Sequence, residues 1–255
     1  MLLGPALGGW IVATLGPGEA FLFDAGTFAV SAVVLAFLNP RPLLARTDPA
    51  TLLSDLREGL AFVRARPWLW ATLLAAAIFL LAYWGPIDVL VPFRVRNELG
   101  GSAGDYGLIL ACGGLGSIVA AALVGRRGLP RRQITFMYFA WASGALMLAG
   151  LGLGTDVWQL MGFMFVESAL FTAGIVIWGT LLQTHVPSAL LGRVTSLDWF
   201  VSTSLVPVSF ALTGPVSGAI GVQTTLVLAG IVACSTTLVF LYVPGVRDME
   251  RVADQ

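Results

Sequence analysis

The chain has 255 residues, of which 57% are hydrophobic and only 11% charged, whereas soluble domains carry about 25% charged residues; this composition argues against a soluble core protein. Its formal net charge is zero, so neither a basic surface for nucleic acid nor an acidic one for a cationic partner is indicated. All fourteen basic residues are arginine, and without lysine there is neither a P-loop lysine nor a Schiff-base lysine.

Met1 to Leu15 is apolar but shorter than the about 20 residues of a full span, and it reads as the second half of a helix. A signal peptide is rejected, because the charged n-region is missing and Gly4-Pro5 would break the apolar core. Gly16-Pro17-Gly18 makes a tight turn, and Phe21 to Leu38 forms a first complete span running from outside to inside.

Asn39 to Pro67 is the one long polar interval. It sets Arg41, Arg46, Arg57, Arg64 and Arg66 against Asp48, Asp55 and Glu58, and arginine excess near membrane ends places it on the cytoplasmic side. Asp48-Pro49 is a helix start, an N-cap acid followed by proline at the first helical position. Leu52, Leu56, Leu60 and Val63 then fall at helical spacing. The result is a short amphipathic helix that either lies on the inner membrane surface or packs under the bundle as a linker.

Six further spans follow: Trp68 to Pro92, about Tyr106 to Val124, Ile134 to Leu153, Val157 to Leu182, Leu197 to Ala219 and Thr224 to Val243. Arg94 and Arg96 fall in an outer loop, and Gly107, Gly113, Gly114 and Gly116 mark the next span as tightly packed. Gly125, Arg126 and Arg127, with Arg131 and Arg132, make an inner loop. Gly154-Thr155-Asp156 is an outer turn, His185 to Arg193, with Gly192 and Arg193, an inner loop, and the charged tail is inside. All arginines but Arg94 and Arg96 then lie inside. Spans of this length admit only a helical bundle, and the alternation a barrel needs is missing. Gly214-Pro215 with Gly218 predicts a bend in the last hairpin.

Cys112 and Cys234 sit in apolar runs and read as small buried hydrophobes, and His185 has no second ligand near it in sequence. No metal cluster, cofactor motif, paired carboxylates or nucleophile with a neighbouring base points to an enzyme. Glu167 stands apart, at roughly 15 Å below Val157 and near the middle of a hydrocarbon core about 30 Å thick. It must face a water-filled cavity or a partner, either as a proton-coupling group or as a neutral carboxyl that glues helices together. Asp24, Asp88 and Asp198 lie near span ends, within reach of water or an interfacial partner. Trp84, Trp141 and Trp178 lie away from the interfaces and either line a cavity for flat apolar solutes or pack as ordinary membrane aromatics. Together with Asp88 and Asp198 they are the cavity or gate candidates.

Gly4-Pro5-Ala6-Leu7-Gly8-Gly9 resembles the Gly-Pro-x-x-Gly-Gly motif on the fifth helix of major facilitator superfamily exporters, a pattern typical of drug and proton antiporters. Gly4 and Gly8 form a small-xxx-small packing face, and Pro5 bends the helix by removing one hydrogen bond. Ala20-Phe21-Leu22-Phe23-Asp24-Ala25-Gly26-Thr27-Phe28, Asp55-Leu56-Arg57-Glu58-Gly59-Leu60 and Val186-Pro187-Ser188-Ala189-Leu190-Leu191-Gly192-Arg193-Val194 extend the resemblance in order. Together they are similar to the exporter branch that includes the enterobactin exporter and the transmembrane secretion effector group. The likeness runs from the middle of a fifth helix to the end of a twelfth.

The resemblance implies an all-α integral membrane protein of one partial and seven complete transmembrane helices. Residues 1–38 would be the last two helices of an N-terminal half, 39–67 a cytoplasmic linker, 68–243 a C-terminal six-helix bundle and 244–255 a cytoplasmic tail, with about four and a half helices preceding. It also implies a secondary active transporter of the plasma membrane, exporting small amphipathic molecules such as drugs or siderophores against protons. Its partners would be the lipid bilayer, a small-molecule substrate, the proton and a missing N-terminal half. The alternative is a truncated or half-transporter without transport activity of its own. The chain departs from the family at Gly125-Arg126-Arg127-Gly128, where the acid of the second-half signature loop is missing.

Overall fold

A computed structural model describes residues 16–37, 52–248 and 250. The partial first helix, the Gly4, Pro5, Gly8 and Gly9 packing motif, and the Asp48-Pro49 helix start lie outside these residues. The described residues form helices α1 (Pro17–Ala36), α2 (Leu52–Arg64), α3 (Pro67–Gly85), a π-helical turn (Pro86–Leu90), α4 (Val91–Asn97), α5 (Ala103–Arg127), α6 (Gln133–Leu153), α7 (Val157–His185), α8 (Ser188–Thr203), α9 (Val206–Ile220) and α10 (Val222–Leu241). Seven stretches among them are long and apolar enough to cross a membrane; Pro67–Asn97 joins α3 to α4 and Ser188–Ile220 joins α8 to α9. Among the described residues, none of the apolar window of α1 is buried, and its Phe21, Phe23 and Phe28 are exposed.

Helix α3 is the hub of the remainder, packing against α2, α8, α9 and α10, while α7 is clasped between α5 and α6. Small residues set the closest crossings. A Cβ added at Gly116 of α5 would sit 2.1 Å from the Phe165 carbonyl oxygen of α7, and one at Gly85 of α3 would sit 2.5 Å from the Ser209 carbonyl oxygen of α9. Two apolar clusters result. One gathers Phe62, Trp68, Tyr138, Trp178 and Leu241. The other gathers Phe79, Tyr83, Ile109, Leu160 and Leu226.

Hydrocarbon cannot hydrogen-bond a freed backbone group, so each interruption of a helix needs a local remedy. At the end of α3, Pro86 and then Pro92 remove amide donors, and the chain widens into the π turn. Beside this turn the Gly85 amide donates to Ser209 Oγ on α9 at 2.8 Å and ties the two helices together. The expected span Trp68 to Pro92 therefore continues to Asn97, and Arg94 is not a loop residue. It is buried, 5% exposed, and its guanidinium donates to the carbonyls of Leu151 at 3.1 Å and Gly154 at 2.7 Å. Those carbonyls end α6 without intrahelical partners, and a cation is favoured at that negative pole of the helix.

The other expected loops also shrink. Gly125, Arg126 and Arg127 form the last turn of α5, which stops only where Gly128 takes φ 74; the inner connection is Gly128 to Arg132. Gly192 and Arg193 lie in the second turn of α8, because Pro187 stands at its N-cap and the helix begins at Ser188. His185 ends α7 rather than opening a loop. Pro215 stays inside α9, and the interruption comes earlier, at Ser204 and Leu205, just before Pro207. Cys234 is buried, but Cys112 is only half-buried.

Helix α2 docks beneath the bundle through Val63 of the expected stripe and through Gly59 and Phe62 outside it. Leu56 and Leu60 are exposed, whereas Phe62 and Val63 are buried. A Cβ at Gly59 would lie 3.2 Å from Leu197 and 3.3 Å from Arg193 of α8. Arg193 pairs with Asp55 at 2.8 Å and also with Glu58, so a charge cluster holds α2 to the start of α8.

Replacing Arg94 by Met keeps much of the side-chain length but leaves the α6 carbonyls without donors. A loss of about 1–3 kcal/mol is expected, read as a lower thermal midpoint of the purified protein in mild detergent. An unchanged midpoint would show that water serves those carbonyls equally well.

Candidate functional site

Two cavities line up along α3, the first beside Thr72 to Trp84 and the second beside Tyr83 to Asp88. Helix α3 passes both because its π turn carries Ile87 and Asp88 on from the face that begins at Tyr83.

The second cavity, of about 200 Å³, contains Glu167 from the middle of α7. The carboxyl is 3% exposed. Tyr83 donates its hydroxyl to Oε1, and Ser168 Oγ donates to Oε2 at 2.8 Å. Both oxygens are thus served by neutral hydroxyls, and no ion pair to Glu167 is formed among the described residues. The Tyr83 ring is held by stacking on Phe79 at 5.1 Å and on Phe171 at 6.0 Å between centroids. Further along the wall, Thr172 donates to Ser117 Oγ at 2.9 Å, and Ser117 donates to the Ser168 carbonyl at 3.4 Å. Asp88 and Tyr106 line the same cavity, and Asp88 is solvent-exposed. Asp88, expected merely to reach the interface, therefore opens onto the cavity that holds Glu167.

The first cavity, of about 240 Å³, is lined by Trp84, Trp141, Trp178 and Trp199, with Phe79 and Phe171 between them. All three tryptophans singled out from the sequence meet here, from three different helices. The wall's polar groups are mostly spent on one another: Thr72 Oγ1 and Tyr138 OH are 2.8 Å apart, and Trp141 Nε1 donates to the Phe171 carbonyl at 3.3 Å. Asp198 is the one acidic side chain in this lining. Because α8 starts at Ser188, Asp198 falls mid-helix on the cavity wall and not at the end of a span. Its Oδ2 accepts from Trp178 Nε1 at 3.0 Å, and its Oδ1 accepts from Ser202 Oγ at 3.3 Å.

Trp84 and Phe171 border both cavities. Tyr83, Ser168 and Phe171 were not anticipated. A signal for Tyr83 existed, since a hydroxyl in the middle of an apolar span requires a partner for the same reason that Glu167 does. Ser168 and Phe171 follow Glu167 on α7 and carry no such mark.

Comparison with known proteins agrees with this architecture. The chain is 26% identical to the uncharacterized MFS-type transporter YfiS of Bacillus subtilis, over 98% of this chain and 62% of the relative. It is 26% identical to the multidrug efflux pump Tap of Mycolicibacterium fortuitum, over 98% and 61%. It is 28% identical to the enterobactin exporter EntS of Shigella boydii, over 77% and 46%. The chain thus spans about 60% of the length of relatives matched along nearly all of it. With seven apolar helices it is a multi-pass protein of the cell membrane. The family model described as transmembrane secretion effector matches residues 2–254, and the chain belongs to that family of major facilitator proteins.

Proposed function

We propose that these helices carry the substrate and coupling sites of a proton-driven exporter of small amphipathic molecules. The observation that carries this reading is Glu167: a carboxyl buried in an apolar bundle, bonded only to neutral hydroxyls, on the wall of a cavity that reaches the exposed Asp88. A carboxyl so placed can exchange a proton with water in the cavity without breaking an ion pair. Tyr83 can hold it in either protonation state, since a hydroxyl both donates and accepts. The relatives named as an efflux pump and an exporter support the direction of transport. In this reading 1–38 end an N-terminal half, 39–67 are a cytoplasmic linker, 68–243 form the C-terminal bundle and 244–255 a cytoplasmic tail.

Because the chain spans about 60% of its relatives' length, a second reading has these helices transporting only together with a separate set that supplies the other half of the translocation path. Dye transport in proteoliposomes holding this chain alone would reject that second reading.

The exchange of Glu167 for Gln keeps shape and hydrogen bonding but removes the exchangeable proton. It is expected to abolish gradient-driven movement of an amphipathic dye in proteoliposomes while leaving expression and the elution profile intact. Unchanged transport, with unchanged pH dependence, would reduce Glu167 to a packing residue.

Sidedness follows from the arginine distribution. Arg64 is expected to face the cytoplasm and Thr155 the opposite side. In a background lacking Cys112 and Cys234, Arg64→Cys and Thr155→Cys should react with an impermeant maleimide from opposite faces of sealed vesicles. Reaction from the same face would invert the assignment of α6 and α7.

A further inference from the structure

We infer that the first cavity is a binding site for a flat, aromatic, singly charged organic cation, with Asp198 as its counter-charge and the surrounding tryptophans as its walls. The inference deepens the export reading and rests on it only for the idea that the bound molecule is cargo. It starts from what the cavity offers. Four indoles and two phenyl rings line it, and the faces of such rings attract a cation, more strongly where water is excluded. The neighbouring polar groups of Thr72, Tyr138 and Trp141 are already bonded within the wall, so a ligand rich in hydrogen-bonding groups finds few partners there.

Asp198 decides the sign of the charge. Its two oxygens accept from Trp178 and Ser202, both neutral donors, and no arginine forms an ion pair with it among the described residues. A negative charge set in an apolar, aromatic wall is costly without a positive partner. A ligand cation supplies that partner, whereas an anion would meet repulsion from both the carboxylate and the ring faces. The bond from the Trp178 indole also aims the carboxylate, tying one wall of the cavity to its charge. Glu167 does not compete for this role, because it lines the second cavity and not the first.

The test is direct binding to the purified chain in mild detergent, in mildly alkaline buffer, read by quenching of tryptophan fluorescence. Three probes of matched size and opposite character serve: N-methylacridinium as cation, 9-methylacridine as neutral analogue and anthracene-9-carboxylate as anion. The cation is expected to bind about tenfold or more tightly than the neutral analogue, and the anion not at all. In Asp198→Asn, whose amide oxygen can still accept from Trp178, the preference for the cation should vanish while the weak binding of 9-methylacridine persists. Equal binding of cation and neutral analogue, absence of cation binding, or an unchanged preference in Asp198→Asn would each overturn the proposal. The first of these would mark the cavity as an apolar seat for lipid or detergent. The three probes on the unaltered chain keep the test open if Asp198→Asn fails to fold. Failure of transport by these helices together with the set that completes the translocation path, with cation preference intact, would sink the export reading and leave the site standing.

Discussion

Hydrocarbon offers no hydrogen bonds, and the breaks around α3, α4 and the end of α6 show how this protein meets that constraint. Where Pro86 and Pro92 break the amide ladder, the chain adopts a π turn, and beside it the Gly85 amide donates to Ser209 of a neighbouring helix. That bond is possible because Gly85 has no side chain to hold α3 and α9 apart. At the end of α6, Arg94 reaches from α4 to collect the carbonyls of Leu151 and Gly154. At these two places the bonds run to neighbouring elements and so also bear on how the helices meet.

Polar side chains obey the constraint less completely, and that is where function enters. Glu167 and Asp198 each receive two bonds from neutral donors and no ion pair among the described residues. Each lies on the wall of its own cavity, and the one beside Asp198 is the richer in indoles. The partition between them is made of side chains, Trp84 and Phe171. Phe171 stacks on the same Tyr83 that donates to Glu167. The buried carboxyl of Glu167 and the indole-lined cavity are therefore separated by two aromatic side chains that border both spaces.

The charge cluster of Arg193 with Asp55 and Glu58 joins α2 to α8, the helix that carries Asp198. Exposed ion pairs contribute little singly, about 0–1 kcal/mol, but here the pair accompanies close packing of Gly59 against Arg193 and Leu197. The small residue permits the approach and the charges give it a register.

The sequence by itself determined the class of this protein: apolar runs of spanning length, arginines gathered between them and the quoted motifs lead to a major facilitator bundle, because hydropathy and charge act residue by residue. Glu167 was legible for the same reason, since a carboxyl deep in a span is anomalous wherever its partner lies. Only the tertiary structure decided which partner it has, because Tyr83 lies 84 positions away and no local rule links the two. Helix ends were misjudged where polarity was taken for loop: Arg94, Arg127 and Arg193 are all helical, and a long side chain can satisfy charge from within a helix by reaching other elements. Asp198 was read as an interfacial acid for that reason. It becomes a cavity residue once α8 is seen to begin at Ser188 and to bring it against indoles from α3, α6 and α7, an encounter that depends on how four helices cross and not on any one of them.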